Sequence, residues 1–251
     1  MIALITGATS GIGKATAELF AKNGYDLIIT GRRKDRLDEF ALELEKNYKV
    51  KVCKLEFDVR KLAEVKKSIG ALSAAFKEID VLVNNAGLAS GLSTIQDGDI
   101  EDWEKMIDTN IKGLLYVTKE VANLMIPRKK GHIINVGSVA GKEVYANGNV
   151  YCATKHAVDA LNKAMRIDLL QHNIRVSGIH PGMVETEFSI VRFHGDEEKA
   201  KKVYMGLQPL TAGDIADAIY WMASRPAHVN ITDMVLTPTA QANATTVNRK
   251  A

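Results

Sequence analysis

The 251-residue sequence predicts an α/β fold, a doubly wound, mostly parallel sheet of about seven strands with helices on both faces. Short β-branched runs alternate with longer stretches of helical period. The runs are nearly continuously apolar, as strands buried on both faces are. The first of them leads straight into a glycine loop and then a helical pattern.

Ile2–Thr6 is the first expected strand, and Ala15, Leu19 and Phe20 mark the helix after it. Asp26–Thr30 is the second; Leu37, Phe40, Ala41 and Leu44 then repeat at i, i+3, i+4, i+7, the apolar stripe of an amphipathic helix. Val50–Phe57 is the third, with Val65, Ile69, Leu72 and Phe76 at similar spacing behind it. Val81–Asn84 and His132–Val136 are the fourth and fifth, separated by a long helical pattern over Asp99–Lys129. A second long helix over Asn149–Gln171 precedes the sixth strand, Arg175–His180. Gly182 to Gly206 breaks the alternation; it is long and mixed in character and reads as a helical flap. Ile215, Ile219 and Met222 mark the last helix and Met234–Leu236 the last strand. The polar tail after Pro238 is expected to be partly ordered or frayed. No repeat, low-complexity segment or linker interrupts the chain, so residues 1–251 read as a single domain with a flap at about 182–206.

Composition excludes several function classes. Lys+Arg 33 against Asp+Glu 30 leaves +3, too small and too scattered for a nucleic-acid surface. The two cysteines, Cys53 and Cys152, supply neither a disulfide framework nor a multi-Cys zinc site, which fits a reducing compartment. No apolar run approaches the roughly 18 residues needed to span a bilayer. Ile2–Ile5 runs at once into the glycine loop, so no signal peptide is expected there. The expectation is a cytoplasmic protein without nucleic-acid or membrane partners. No histidine spacing suggests a metal site, so none is expected. His180 and His194 flank the flap as candidate substrate contacts.

Gly7-Ala8-Thr9-Ser10-Gly11-Ile12-Gly13 joins the first strand to the first helix. A tight turn wants glycine, a pyrophosphate must approach the backbone, and the helix presents free N–H groups and a positive dipole end. The sharp reading is a dinucleotide site; the bland one is a plain βα turn. The spacing Gly-x-x-x-Gly-x-Gly differs from the commoner G-x-G-x-x-G fingerprint. In NAD-binding proteins an acidic residue about 20 positions on holds the ribose 2′-OH. Arg32 and Arg33 stand there instead, 19 and 20 residues beyond Gly13. A guanidinium pair attracts a 2′-phosphate, which points to NADP. The alternative is a solvated basic helix start, with the slight penalty of cations at a helix N-terminus. Asp58 either accepts from an adenine amino group or caps the next helix.

Tyr151 and Lys155 are four residues apart at the start of a helical pattern, so they share a face. A free tyrosine has a pKa of about 10, and a fixed positive charge nearby lowers it. Alone, such a pair is common. Ser138 follows the fifth strand, thirteen residues before Tyr151, at the carboxyl edge where ligands of open parallel sheets gather. It either polarises a substrate oxygen or serves a turn. Asn84-Asn85-Ala86-Gly87 ends the fourth strand, where small residues let the backbone pass close to a flat ring. Asn110 sits mid-helix, a poor place for asparagine, which hints at a polar network or a local bulge.

In this order and spacing these motifs resemble the short-chain dehydrogenase/reductase family, over essentially the whole chain. Thr6-Gly7-x-x-x-Gly11-x-Gly13, Asn84-Asn85-Ala86-Gly87, Asn110, Ser138, Tyr151-x-x-x-Lys155 and Pro181-Gly182 with Thr186 carry the resemblance. It implies a Rossmann-like fold and an NAD(P)-dependent oxidoreductase with the catalytic set Asn110, Ser138, Tyr151 and Lys155. Tyr151 would then protonate the carbonyl oxygen, Lys155 lower its pKa and hold the nicotinamide ribose, Ser138 polarise the substrate, and Asn110 hold a relay water. The implied cofactor contacts run along the first loop (Gly7, Thr9, Ser10, Gly11, Ile12, Gly13), then Arg32, Arg33, Asp58 and Val59. Asn85, Ala86 and Gly87 continue them, with Tyr151, Lys155 and, around the nicotinamide, Pro181, Gly182, Val184 and Thr186. The hydride chemistry belongs to the cofactor.

For the substrate, Arg192 in the flap suits a carboxylate or sulfonate by bidentate pairing. The alternative is an intraflap salt bridge with Glu185, Glu187 or Asp196. Asn149 is a further candidate substrate contact, with Ser138 and Tyr151. Segments Ile28 to Arg33, Gly148 to Tyr151, Thr186-Glu187-Phe188-Ser189 with Val191-Arg192-Phe193, and Pro226 to Ile231 are similar to a narrower branch, the NADP-dependent 3-hydroxy acid dehydrogenases. That branch acts on serine, allo-threonine and related 3-hydroxy acids and reduces malonic semialdehyde. A sulfoacetaldehyde or 3-oxoacyl reductase is the alternative within the family, and a non-catalytic NADP(H)-sensing module the alternative outside it. A sensor has no need of all four catalytic positions. By the same resemblance the long helices pair copies into a homotetramer.

Overall fold

The computed structural model describes residues 1–250. Seven strands form one parallel sheet in the order β3-β2-β1-β4-β5-β6-β7. They are β1 Ile2–Ile5, β2 Asp26–Gly31, β3 Val52–Glu56, β4 Val81–Asn84, β5 Gly131–Val136, β6 Ile174–Pro181 and β7 Asp233–Leu236. The expected doubly wound architecture is thus the observed one. Ile5 lies between Ile29 of β2 and Val83 of β4, and winding reverses direction there. A crevice opens at such a switch point, at the carboxyl ends of the strands.

Alternating side chains of the central strands feed two cores. Ala3 and Ile5 meet Phe20, Leu37, Ile215 and Met222 on one face. Ile2, Leu4 and Leu82 meet Val65, Val117, Met125 and Met165 on the other. The two edge strands depart from the apolar expectation: Lys54, Glu56, Asp233 and Val235 are exposed. An edge strand has one neighbour and carries polar residues without leaving a core group unsatisfied.

The helices are α1 Gly11–Lys22, α2 Lys34–Tyr48, α3 Leu62–Gly70, α4 Ile100–Ile107, α5 Leu114–Met125, α6 Asn149–Asp168, α7 Phe188–Arg192, α8 Glu197–Lys202 and α9 Ala212–Ala223. The continuous helix expected over Asp99–Lys129 is instead broken by a π-helical turn, Asp108–Gly113, between α4 and α5. Asn110 lies in that turn, in keeping with the bulge its residue type suggested. α7 and α8 give the flap its helical character, and Thr211 and Asp214 form a capping box where the chain leaves it.

Of the two readings of the tail, the ordered one holds through residue 250. Met183 N–H donates to Gln241 Oε1 at 2.8 Å, Asn248 N–H to Ala240 O at 2.8 Å, and Lys250 N–H to Gly206 O at 2.8 Å. Arg249 donates to Val203 O at 3.0 Å and also to Met205 O. Polarity left both readings open, and partners on the flap and within the tail itself decide for order. Among the described residues no helix is long and apolar enough to cross a membrane.

Candidate active site

The first and fourth strand ends are stitched together at the switch point. The Thr6 hydroxyl accepts from Asn85 N–H at 3.0 Å and Ala86 N–H at 2.9 Å, while Asn85 Nδ2 donates to Thr6 O at 2.8 Å. Gly7 has φ +67°, and a Cβ there would stand 3.1 Å from Ala86 Cα. At Gly13 a Cβ would fall 2.4 Å from Gly7 O and from Asn85 Nδ2. The glycines therefore keep a shallow cradle at the N-terminus of α1, which fits the pyrophosphate expected there. Asn85 serves that cradle with its amide.

Beyond β2 lies a basic edge. Arg33 donates to Thr9 Oγ1 at 3.0 Å and Ser10 Oγ at 3.0 Å, and pairs with Glu187 of the flap at 3.1 Å. Arg36, one turn into α2, pairs with the same carboxylate at 2.9 Å. Arg32 is the freest of the three, 61% exposed and 4.0 Å from Asp58. Asp58 does not cap α3, where Lys61 holds the cap position. It accepts instead from the Arg60 backbone N–H at 3.0 Å and from both sides of the Arg60 guanidinium. Burial would raise its carboxyl, but Arg60, with Arg32 behind it, holds it below the usual range.

Four loops converge on Tyr151. Its ring is buried, edge-on to Phe188 at 5.7 Å between centroids, with the Arg192 guanidinium 5.6 Å from the ring centre. Lys155, one turn along α6, is also buried, its Nζ donating to Val136 O at 3.0 Å and lying 5.9 Å from the Tyr151 ring centre. Ser138 Oγ accepts from Ala140 N–H at 3.1 Å and donates to Pro181 O at 3.4 Å. Asn110 spends its side chain within the protein: Oδ1 accepts from Leu88 N–H at 2.9 Å, and Nδ2 donates to Leu88 O at 2.8 Å and Thr154 Oγ1 at 3.0 Å. Desolvation alone lowers the Lys155 ammonium to about 8. The expected depression of the Tyr151 pKa is not found here. Burial, joined by Tyr145, pushes the phenol above its ordinary value, against a hydrogen bond with Ser138 and the charge of Arg192. Tyr151 is therefore a held proton, suited to donate.

Ser138, Tyr151, Lys155 and Arg192 line one cavity of about 770 Å³, within the range of small-molecule and cofactor sites, whereas Asn110 and Gly13 stand behind its wall. It runs from the glycine cradle and Arg32 past Gly87 and Tyr151 to the flap and tail. Arg192 donates to Tyr145 OH at 2.9 Å and Gly91 O at 3.3 Å, and its Nη2 is buried with no partner. The intraflap salt bridge does not form: among the described residues no carboxylate lies within ion-pair distance of Arg192. Asn149 is not among the cavity-lining residues; its amide donates to Ser93 O at 2.9 Å.

Residues 1–196 match the family described as short chain dehydrogenase. The chain belongs to the short-chain dehydrogenases. It is 48% identical over 245 residues to the NADP-dependent 3-hydroxy acid dehydrogenase of Salmonella typhi, covering 97% of each chain. It is 44% identical over 241 residues to the serine 3-dehydrogenase of Agrobacterium fabrum, covering 96% of this chain and 95% of that one. The closed form of a serine dehydrogenase complexed with NADP⁺ superposes with a TM-score of 0.93, at 44% identity and full coverage of both chains.

Within this short-chain dehydrogenase the structure adds functional neighbours that sequence reasoning did not single out. Arg36 reads as one charge in a solvated helix, and only the fold turns it toward Glu187. Thr154 gives no signal beyond its place between Tyr151 and Lys155. Gln241, Thr245 and Arg249 reach the cavity from a tail that polarity alone marks as loose. Of the two candidate histidines flanking the flap, His194 lies 3.1 Å from Asp102, while His180 is buried within β6, 2.6 Å from Asp233. Asp159, His180 and Asp233 have ligand-like spacing, but the Lys142 ammonium sits 2.7 Å from both carboxylates and supplies the cation.

Proposed function

We propose that this short-chain dehydrogenase transfers a hydride between NADP and a small 3-hydroxy acid of the serine, allo-threonine or 3-hydroxypropionate type, or the matching semialdehyde. Arg192 carries the reading: a guanidinium without a carboxylate partner, its Nη2 unsatisfied, stands against the tyrosine expected to act on the substrate oxygen. A buried donor left unmade is costly, so a ligand oxygen is its natural complement. The relatives' names supply the rest, since two of the three carry NADP and all three name a 3-hydroxy acid or serine enzyme.

The bound nicotinamide supplies the hydride in reduction and accepts it in oxidation. The substrate carboxylate pairs with Arg192, which directs the neighbouring carbonyl toward Tyr151. The Tyr151 hydroxyl donates its proton to the carbonyl oxygen as the carbon gains hydride; the reverse reaction returns both. The Ser138 hydroxyl donates a hydrogen bond to the same oxygen. Lys155 holds a positive charge below pH of about 8 behind the phenol and stabilises the phenolate left by proton transfer. Asn110 serves the catalytic set by holding the Gly87–Leu88 turn against α6, and Asn149, expected at the substrate, acts through Ser93 on the same loop. The cofactor's 2′-phosphate falls to the Arg32–Arg33 edge. Chain 1–251 works as one domain whose flap chooses the substrate. The enzyme is cytoplasmic and assembles as a homotetramer, which light scattering measures directly. Exposed Ile100, Ile107 and Leu115 on α4 and α5 suit such an assembly.

The deciding experiment follows nicotinamide absorbance with NADP and NAD across serine, allo-threonine, 3-hydroxypropionate, 3-hydroxyisobutyrate and sulfoacetaldehyde, beside uncharged alcohols and ketones. Turnover is expected with NADP and the 3-hydroxy carboxylates. Preference for uncharged or thioester-linked substrates, or for the sulfonate, would replace the 3-hydroxy acid reading.

A further inference from the structure

Glu187 is a flap residue whose single carboxylate takes hydrogen bonds from two arginines of the cofactor edge. Arg33 Nη1 reaches it at 3.1 Å, and Arg36 Nη1 at 2.9 and 3.2 Å. Arg33 is otherwise committed to the glycine loop through Thr9 and Ser10. A carboxylate and a phosphate dianion seek the same forked N–H donors. We propose that Glu187 tunes the preference of this enzyme for a 2′-phosphorylated cofactor by competing with that phosphate for Arg33 and Arg36. The proposal rests on the reading of the Arg32–Arg33 edge as the phosphate anchor.

Two features make the competition specific. The N–H groups that bind Glu187 cannot be given to the phosphate at the same time, and the carboxylate adds a like charge beside a dianion. A dinucleotide lacking the 2′-phosphate meets neither obstacle. The arrangement also reaches the chemistry: Glu187 immediately precedes α7, which carries Phe188 against the Tyr151 ring and Arg192 beside it. Whatever free energy the phosphate takes from the Glu187 contacts is lost to the tie between flap and arginine edge, and by reciprocity that tie weakens the hold on the phosphate by the same factor. The partners are close to half exposed, with side-chain exposures of 43%, 48% and 45% for Arg33, Arg36 and Glu187. Solvent screening therefore keeps the effect modest.

The test is equilibrium binding of NADPH and NADH, read by nicotinamide fluorescence on the full chain without substrate. Glu187→Gln keeps the shape and removes the charge. It is expected to tighten NADPH about three- to tenfold while NADH moves by less than about twofold. The gain should vanish in an Arg33→Gln/Arg36→Gln background. Unchanged or weaker NADPH binding in Glu187→Gln, or equal tightening of both cofactors, overturns the proposal. Failure of the underlying anchor reading has a separate signature: the NADPH-to-NADH ratio would stay at the wild-type value in Arg32→Gln/Arg33→Gln.

Discussion

Replacing Lys155 by methionine is expected to make the protein more stable while abolishing its chemistry. Lys155 is 6% exposed, donates one hydrogen bond to Val136 O, and has no carboxylate within ion-pair distance among the described residues. Burial lowers its pKa from 10.5 to about 8. The folded state therefore holds this proton less tightly than the unfolded chain. Below pH of about 8 the lysine is charged in both states, and folding bears the whole cost. Between about 8 and 10.5 the folded state loses the proton first, so stability rises with pH; above that range the cost is gone. The shift corresponds to about 3 kcal/mol at neutral pH. Losing the bond to Val136 O returns about 1 kcal/mol, which leaves a net gain of about 2 kcal/mol for Lys155→Met. In a chain of this length that is a rise of roughly 4–8 °C in melting temperature. Thermal and urea unfolding of both proteins without cofactor, at pH 7 and 9.5, measure it. The advantage should shrink at the higher pH as the wild type sheds its proton. A methionine variant less stable than wild type at pH 7, or a gap that ignores pH, would refute the reasoning.

Tyr151→Phe should lose about 10²–10⁴ in turnover, the usual worth of a positioned general acid, while NADPH fluorescence titrations stay at the wild-type Kd. Full activity in that variant removes Tyr151 from the mechanism. Arg192→Ala should cost about 2–4 kcal/mol, roughly 30- to 1000-fold in kcat/KM, for serine and other carboxylates, with small uncharged carbonyl compounds little changed. An equal loss on both classes would mean the guanidinium shapes the flap rather than binding the anion. Neutralising Arg32 and Arg33 together as glutamines should weaken NADPH about 10- to 100-fold with NADH nearly unaffected, measured by direct binding.

The positions of the strands and the grouping of the candidate catalytic side chains were legible because each rests on a local rule. Continuous β-branched runs gave the buried strands, and the i, i+4 spacing put Tyr151 and Lys155 on one face of α6. The poor helix propensity of Asn110 marked the break between α4 and α5, though not its π-helical form. What escaped depends on contacts distant in sequence. Arg36 and Glu187 are 151 residues apart, and nothing local to either shows that they meet. The direction of the Tyr151 shift was missed for a related reason. Spacing shows that a lysine is near, but whether its charge outweighs desolvation depends on how deeply Phe188, Tyr145 and the flap bury the phenol. The tail was left open between ordered and frayed for the same reason, since partners on the folded flap decide it.

The placement of charge explains why a cleft with little net charge to draw on should select anions. Elsewhere acids meet cations directly: Asp159 and Asp233 meet Lys142, and Asp80 meets Arg128 and Lys130. In the cleft the pattern is different. Lys155 and Arg192 are held by backbone carbonyls and a phenol, neutral acceptors that orient a cation without cancelling it. A carboxylate partner would have fixed the same geometry and spent the field. The low dielectric around Tyr151 strengthens what remains, so an anionic substrate would be drawn in by charges the fold leaves uncompensated. Glu187 is the counterexample that shows the cost, since it cancels part of the arginine edge where the flap needs a tie. The cleft thus leaves its Arg192 end open in charge and its Arg33–Arg36 edge contested, and only the second should respond to removal of one flap carboxylate.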